Sequence, residues 1–427
     1  MVEQTVKTIE KNHINFHFVP TDKFKTITAV AKFKAPLMRD TVTKRALLPF
    51  VLKQGTKHHR SEKELQMRLD ELYGALLHIT TTKKGESDIL HFQLEFANEK
   101  FIEQSGDITN AALKLFHEVI FSPLIENDMF DNQIVIREKR QLENKINAIY
   151  DNKVAYANER LIDEMYKEEP FSLHIDGYVD ELESIDGQQL ANYYEQMIAE
   201  DELDIYVLGD FEVEEIEGTV TNLFIRQTAP KQTVDISEAK RSHPIEPKKV
   251  VEADAIQQAK LHIGYRTNIL YDDDQYSALQ VFNGLFGAFP NSKLFMNVRE
   301  KHSLAYYIAS RIESHIGLLM VYGGVETSEY ENTYTIIAQQ LEEIRQGNFT
   351  ETELTGVQEL IVSNVKETLD HPGGTIELLY QQVLGKKQLT PQLFIKQIEQ
   401  VTKEAVIKVA NEINLDTIYV LAGKAGE

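Results

Sequence analysis

The feature of this 427-residue sequence that most restricts its fold is a short apolar run that occurs twice. Ile-Tyr-Val-Leu begins at Ile205 and again at Ile418, 213 residues further on, which is almost half the chain length. Apolar runs of this length, each followed closely by a glycine, are typical of buried strands that close a domain. We interpret the two runs as equivalent strands of two similar halves.

The order of predicted elements supports this duplication. In the first half, alternating apolar residues predict strands at 26–33 and 90–96. A helix is predicted at 45–53, although Pro49 is unfavourable inside a helix. Another helix begins after Ser61, where Ser61 and Glu64 have the spacing of a capping box.

The second half repeats the plan, with predicted strands at 260–265 and 320–322, a helix at 274–286, and helical patterns before Ile418. Runs of strands followed by runs of helices predict an α+β fold, with each half a mostly antiparallel sheet that has helices packed on one face. Residues 229–249 contain three prolines and no periodicity, which indicates a linker. We therefore predict an N-terminal domain at 1–228, a linker at 229–249 and a C-terminal domain at 250–427.

Composition narrows the function classes. The absence of cysteine excludes disulfides, thiolate metal sites and a cysteine nucleophile, and it fits a reducing compartment. No signal peptide is evident at the N-terminus and no apolar stretch is long enough to span a bilayer, so we expect a cytoplasmic protein with no membrane partner. A formal net charge of −22 makes nucleic acid an unfavourable partner. That charge either attracts basic peptides or simply maintains solubility.

The thirteen histidines indicate no zinc site, because none forms H-E-x-x-H or H-x-x-E-H. His58, His59 and Glu62 fit a solvated loop at the start of a helix better than a ligand cluster. The breaker-rich run 370–374 is interpreted as a loop between helices. Phosphate-binding loops and nucleophile elbows are absent from the sequence. We expect this chain to bind no metal or other cofactor.

Residues 291–307 are the most informative segment. Taken alone, they predict a helix, a turn and a strand, with Arg299 as a surface ion-pair partner and Tyr306 as a core aromatic. The runs Ser-x-Leu-Phe, Arg-Glu-Lys and Leu-Ala-Tyr, with Arg299 and Tyr306 seven residues apart, resemble the second-half signature of the insulinase-like zinc peptidases. That family includes pitrilysin and the mitochondrial processing peptidase. The resemblance implies that Arg299 and Tyr306 hold the substrate backbone and stabilise the oxyanion of a tetrahedral intermediate. Ser303 stands where the family usually has glycine.

The first half resembles the same family but lacks its zinc motif. Gly55-Thr56 matches the pair that follows the zinc helix, and the ligand positions counted back from it fall on Ala46, Pro49 and Phe50. Both histidines and the catalytic glutamate are therefore missing. The third ligand position corresponds to Glu138 or Glu143. The resemblance extends over essentially the whole chain, and it is strongest to bacterial half-length members without the zinc motif.

Family members of this length are implied to act as dimers that enclose a chamber, in some of which one subunit carries zinc and the other supplies the arginine and tyrosine. Our leading hypothesis is that this chain is the non-zinc subunit of a heterodimeric metallopeptidase acting on peptides, with zinc on a homologous partner subunit. A homodimer is the other assembly considered. The alternative function is a catalytically inactive peptide-binding or assembly scaffold, because a fold alone does not establish an activity. Whether the chain takes part in catalysis is left open by the sequence, as are the peptide substrate and the cleavage preference.

Overall fold

Two β-sheets organise the chain, and each belongs to a separate unit of internal contacts. The structure is a computed structural model that describes residues 6–103, 106–230 and 246–424. The first unit comprises Met1–Ala148 and Leu173–Ser237, and the second comprises Ile149–Ser172 and Glu238–Glu427.

The elements alternate between strands and helices along both halves. The strands are β1 (Lys7–Lys11), β2 (Ile14–Pro20), β3 (Thr26–Pro36), β4 (Leu76–Lys84), β5 (Ser87–Ala97), β6 (Ile125–Glu126), β7 (Met129–Phe130), β8 (Glu202–Gly209), β9 (Lys248–Asp254), β10 (Ala259–Arg266), β11 (Ala305–Glu313), β12 (Leu318–Val325) and β13 (Asn414–Gly423). The helices are α1 (Arg39–Leu52), α2 (Glu62–Glu71), α3 (Ile108–Phe121), α4 (Asn132–Asp151), α5 (Lys153–Met165), α6 (Val179–Leu182), α7 (Gly187–Glu200), α8 (Val213–Leu223), α9 (Tyr276–Asn283), α10 (Tyr330–Arg345), α11 (Glu351–Thr368), α12 (Pro372–Leu384), α13 (Pro391–Glu399) and α14 (Lys403–Glu412). Two π-helical segments, Gly284–Ala288 and Phe295–Lys301, lie between α9 and β11.

The two Ile-Tyr-Val-Leu runs occupy equivalent strands. The first sheet has the order β1-β2-β8-β3-β5-β4, and the second has the order β11-β12-β10-β13-β9. The strand that contains Ile205, β8, lies between parallel β2 and antiparallel β3. The strand that contains Ile418, β13, lies in the same way between parallel β9 and antiparallel β10. The other strand pairs in both sheets, as far as the structure describes them, are antiparallel, so the predicted α+β fold with a repeated, mostly antiparallel sheet is confirmed.

Helices α1 and α2 agree only in part with the helix starts and the cap that the local sequence predicts. The Ser61 hydroxyl accepts a hydrogen bond from the Glu64 backbone N–H at 3.2 Å, as predicted. The Glu64 carboxylate, however, accepts from the Arg60 N–H at 2.8 Å, one residue before the cap. Helix α1 begins at Arg39, earlier than predicted, and continues through Pro49. Most of its side chains are buried in the first core, and this tertiary packing outweighs the low helix propensity of proline.

The second sheet has apolar layers on both faces, whereas helices were predicted on only one face. One face carries Leu261, Ile263 and Val420 in a core shared with helices of the second half. On the other face, Tyr419 and Met320 pack in a separate apolar cluster with Leu161 and Met165 of α5, among other residues. A strand exposes alternate side chains on opposite faces, so a sheet that is apolar on both faces needs a layer on each.

Helix α5 also bears on the domain boundaries. The predicted N-terminal domain, 1–228, includes α5, whereas the contacts of 149–172 are with the second unit. Lys248 and Lys249, at the end of the predicted linker, are the first residues of β9. Residues 231–245 of that linker lie outside the described residues. The boundaries at 228 and 250 remain a prediction.

A buried ion cluster holds the first unit together around Arg45 of α1. The Arg45 guanidinium, with no exposed surface, donates to the Asp201 carboxylate at 2.6 Å, the Tyr193 hydroxyl at 3.2 Å and the Phe33 carbonyl at 2.5 Å. Its Nε lies 3.1 Å from the Asp88 carboxylate. One cation therefore serves two buried carboxyl groups that come from distant parts of the chain.

Burial raises the pKa of both carboxyl groups, although the Arg45 guanidinium opposes the rise. Burial is the main cause for Asp88, and the charge of Asp201 adds to it, so that the pKa of Asp88 rises to about 7 despite the opposing effect of Arg45. Burial likewise raises the pKa of Asp201.

In the described residues, no helix combines the length and the apolar character needed to cross a membrane.

We predict that Asp88 makes the protein less stable as pH rises from about 4 to about 7. The pKa of Asp88 is about 7 in the folded state against 3.8 for an ordinary aspartate, so in this window the folded state binds more protons than the unfolded state, and stability falls with increasing pH. Asp88→Asn removes this contribution. The free energy of unfolding, measured in urea at several pH values, should then fall less steeply with pH, by up to about 1.4 kcal/mol per pH unit.

The matched control is Asp70→Asn, which changes an exposed aspartate of α2. Its pH dependence should follow that of the unmodified protein. Equal slopes for Asp88→Asn and the unmodified protein would contradict the raised pKa of Asp88.

Candidate functional site

The three positions that we predict to correspond to the family's zinc helix, 46, 49 and 50, lie on α1 and carry no metal ligand. Ala46 and Pro49 are buried and Phe50 is half-buried against the first core. A methyl group, a pyrrolidine ring and a phenyl ring offer no lone pair to a metal, whereas zinc requires nitrogen, oxygen or sulfur donors. These residues therefore do not fit a zinc ion.

The two candidates for the third ligand position, both on α4, differ in their exposure to solvent. Glu138 lies on the buried face of the helix, between Val135 and Leu142, and its carboxylate accepts from the Arg137 Nε at 2.7 Å. Glu143 is exposed to solvent. Among the residues described, no three histidine, aspartate or glutamate side chains are grouped so that they could hold a metal ion. Which glutamate corresponds to the family ligand remains a prediction.

The turn after the zinc-helix positions is organised by a residue that the sequence analysis did not identify. Glu118 of α3 accepts from the Thr56 hydroxyl and from the His58 N–H at 3.2 Å, and its carboxylate lies 3.1 Å from the His59 Nδ1. Gly55 precedes this turn with φ of 150°, and a Cβ there would come within 2.9 Å of the His59 carbonyl oxygen. The expected solvated loop is thus tied to a helix about 60 residues later in the chain, which local sequence signals do not reveal.

The segment that carries Arg299 is firmly anchored. Leu294 and Val298 are completely buried in the second core. The Asn297 amide donates to the Lys293 carbonyl at 3.0 Å and to the Gln340 side chain of α10 at 2.8 Å. Residues 295–301 form a π-helical turn, a conformation that is common at functional sites.

Arg299 points outward from this anchored turn. Its guanidinium lies 4.8 Å from the centre of the Phe295 ring and 3.7 Å from the Glu300 carboxylate, and its side chain is 44% exposed. The expected surface ion pair with a neighbouring glutamate is therefore present, but it is long and solvated, and such pairs contribute little to stability. The guanidinium keeps donors available to another molecule.

A tight turn connects Arg299 to the next strand. The Ser303 N–H donates to the Arg299 carbonyl at 3.1 Å, and the Leu304 N–H donates to the Val298 carbonyl at 3.0 Å. Ser303 adopts φ of 54°, in the left-handed region that glycine occupies most easily. A glycine, which the resemblance implies is usual at this position, would adopt this conformation without the steric cost that serine has.

Tyr306 lies at a β-bulge on β11, an edge strand of the second sheet. Ala305 pairs with Val325 and Tyr307 pairs with Gly324, so Tyr306 is the extra residue between two consecutive partners. Bulges redirect side chains and are common beside active sites. Ala305 is buried, whereas Tyr306 is 63% exposed. The expectation of a core aromatic at 306 is therefore wrong, because the bulge directs the Tyr306 side chain into solvent.

The structure thus brings an exposed guanidinium and an exposed phenol to the start of one edge strand. The two groups are presented by a turn whose backbone is fixed by buried residues on one side and by strand pairing on the other. Both side chains are hydrogen-bond donors that could reach a peptide carbonyl or an oxyanion. Ala46, Pro49 and Phe50 provide no comparable chemistry.

Comparison with known proteins identifies the family of this chain. Residues 184–361 match the family model for the peptidase M16 inactive domain. The chain is 43% identical over 423 residues, 99% of each chain, to the probable inactive metalloprotease YmfF of Bacillus subtilis (strain 168). A crystal structure of a conserved protein from Enterococcus faecalis V583 covers 99% of both chains with a TM-score of 0.91 and 31% identity. The peptidase M16 inactive domain from Pseudomonas fluorescens has the same fold, with a TM-score of 0.79, 20% identity and 98% coverage of both chains.

Two observations identify the family. The chain is highly identical to a relative of the same length, and it has no metal ligands at positions 46, 49 and 50. The chain belongs to the insulinase-like (M16) zinc peptidase family, among the members that lack the zinc-binding motif.

Proposed function

We propose that this chain is the non-zinc subunit of a heterodimeric metallopeptidase that processes or degrades peptides in the cytoplasm, and that it contributes Arg299 and Tyr306. The observation that carries the proposal is the position of Tyr306, whose side chain is directed into solvent by a bulge. A tyrosine retained for packing would bury its ring, since burial of an aromatic side chain is its main contribution to stability. The exposed phenol is better explained by contact with another molecule.

Arg299 and Tyr306 supply complementary donors for a bound peptide. The Arg299 guanidinium is suited to hold backbone carbonyl oxygens, because its N–H groups form a rigid, planar fork. The Tyr306 hydroxyl can donate to an oxygen on which negative charge develops during attack on the peptide bond. Buried Leu294 and Val298 fix the backbone around Arg299, so little conformational freedom is lost when substrate binds.

A partner subunit is required because this chain has no zinc ligands at positions 46, 49 and 50. A homologous chain with an intact H-x-x-E-H motif would provide the metal, and this chain would provide donors from its second half. A homodimer would leave both subunits without these ligands. The cysteine-free sequence supports the cytoplasmic part of the proposal.

The alternative is a peptide-binding or assembly scaffold without catalytic function. The inactive domain named by the family model and the B. subtilis relative described as a probable inactive metalloprotease favour it. A scaffold could use the same exposed side chains to bind a peptide, but their hydroxyl and guanidinium groups would not affect turnover.

We predict that Tyr306→Phe lowers kcat of the reconstituted pair by about 10²–10³, the usual effect of losing one oxyanion donor, while KM changes little. The substitution removes only a hydroxyl from a side chain that is already exposed, so the thermal unfolding temperature should stay the same. Arg299→Ala should also lower kcat/KM, because it removes contacts with the substrate backbone. Turnover of a fluorogenic peptide and thermal unfolding are the two measurements.

The matched control is Tyr73→Phe, which removes the hydroxyl of another exposed tyrosine, in the first unit. It should leave kcat unchanged. If Tyr306→Phe and Arg299→Ala both retained full peptidase activity in the pair, the scaffold function would be favoured.

The proposal also predicts where zinc is bound. Elemental analysis after dialysis should find no stoichiometric zinc in the purified chain and one zinc for each partner subunit in the pair, since the side chains at 46, 49 and 50 cannot coordinate a metal. One tightly bound zinc ion for each copy of the isolated chain would disprove this division between the subunits.

A further inference from the structure

Lys260 of β10 is a half-buried cation without a carboxylate partner among the described residues. Its Nζ donates to the Gln258 side-chain oxygen at 2.8 Å and lies 5.6 Å from the centre of the Tyr307 ring. Other cations on this side of the second unit are paired with acids: Lys153 with Asp254 at 2.7 Å and Arg160 with Glu252 at 3.3 Å. Burial lowers the pKa of Lys260, so its charged form is disfavoured where it stands.

Lys260 lines a cleft of about 460 Å³ in the second unit. The rest of the lining comes from residues 151–154 at the end of α4 and the start of α5, and from residues 256–258 between β9 and β10. Gln257 and Gln258 contribute side-chain amides, and Ile256 and Val154 contribute apolar surface. Asp151 lines the cleft as well, and its carboxylate is exposed to solvent.

Gly324 of β12 leaves the space that this arrangement needs. Gly324 pairs with Lys260 in the sheet. A Cβ at position 324 would lie 2.4 Å from the Tyr307 ring and 2.6 Å from the Gln258 side-chain oxygen. Any larger residue there would displace the two groups that contact the Lys260 ammonium.

We propose that this cleft binds a carboxylate group of a peptide and that Lys260 is the residue that recognises it. An ammonium group has three donors, of which the Gln258 oxygen uses one. A carboxylate would accept from the others and neutralise a cation that burial destabilises. In a chain with a net charge of −22, attraction of an acidic group requires such a local cation.

The position of the cleft adds a second peptide contact to the proposed function. The choice of a peptide as the ligand rests on that proposed function. Lys260 pairs with Gly324, and Gly324 pairs with Tyr307, the residue after Tyr306. Two strand spacings, about 10 Å, therefore separate the backbone at Lys260 from that beside Tyr306. About three residues of extended peptide span this distance. The carboxylate is either that of an aspartate or glutamate side chain or the C-terminal carboxylate of a short peptide.

The test is direct binding to the purified full-length chain, without a partner, zinc or turnover. Three fluorescein-labelled alanine-serine octapeptides are compared by fluorescence anisotropy. One has a central glutamate and an amidated C-terminus, the second has glutamine instead and an amidated C-terminus, and the third has glutamine and a free C-terminal carboxylate. We expect at least one acidic peptide to bind more tightly than the neutral peptide, and the one that does identifies the source of the carboxylate.

Lys260→Met should reduce the affinity for that acidic peptide about tenfold or more and leave binding of the neutral peptide unchanged. Lys249→Met is the control, because it removes the same charge from a lysine that pairs with Glu331. The inference is overturned if the acidic and neutral peptides bind equally, or if the two variants lose affinity to the same extent. Failure of the binding test would not affect the turnover experiment on Tyr306→Phe. In the same way, an unchanged turnover in Tyr306→Phe would leave the binding test of Lys260 valid.

Discussion

The first unit depends on the contacts of one buried guanidinium. Arg45 connects α1 to the β3 backbone, to Asp88 of β5, to Tyr193 of α7 and to Asp201, which caps α7 just before β8. Removing one partner of a buried ion pair typically costs about 3–5 kcal/mol, because the remaining charge is left without compensation. Arg45 immediately precedes Ala46, the first of the positions without a zinc ligand. Helix α1 is thus held by apolar packing and a charge cluster.

The two units have diverged around a common sheet. In the first unit, at the positions predicted to correspond to zinc ligands, Ala46 belongs to the core, Phe50 packs against it and Pro49 is buried. In the second unit, a π-helical turn, a left-handed serine and a β-bulge place Arg299 and Tyr306 in solvent. Such conformations in a strand and in the turn before it raise the free energy of the folded state. They persist mainly at functional sites. The contrast favours a contribution of the second unit to binding or catalysis.

Much of the fold was predictable from the sequence because strand position follows from short apolar patterns. The Ile205 and Ile418 runs identified equivalent strands, since a strand buried on both faces reads as a continuous apolar run. The packing of α5 on the second sheet was not predictable, because an amphipathic pattern does not say which sheet it covers. The exposure of Tyr306 was missed for a different reason: it depends on a bulge in β11, and no sequence signal indicated one. The roles of Arg299 and Tyr306 came from the family resemblance alone, and the Arg45–Asp201 contact joins residues too distant in sequence to be inferred.

We propose that Arg299 and Tyr306 of this chain contact a peptide that is bound at the metal of a different subunit. The most direct measurement is an experimental structure of the reconstituted pair with a non-cleavable peptide analogue. We expect the Arg299 guanidinium and the Tyr306 hydroxyl to lie within about 3 Å of backbone oxygens of the peptide, next to the bond positioned for cleavage. A peptide bound at the partner's metal while both side chains remain in solvent would disprove their part in catalysis.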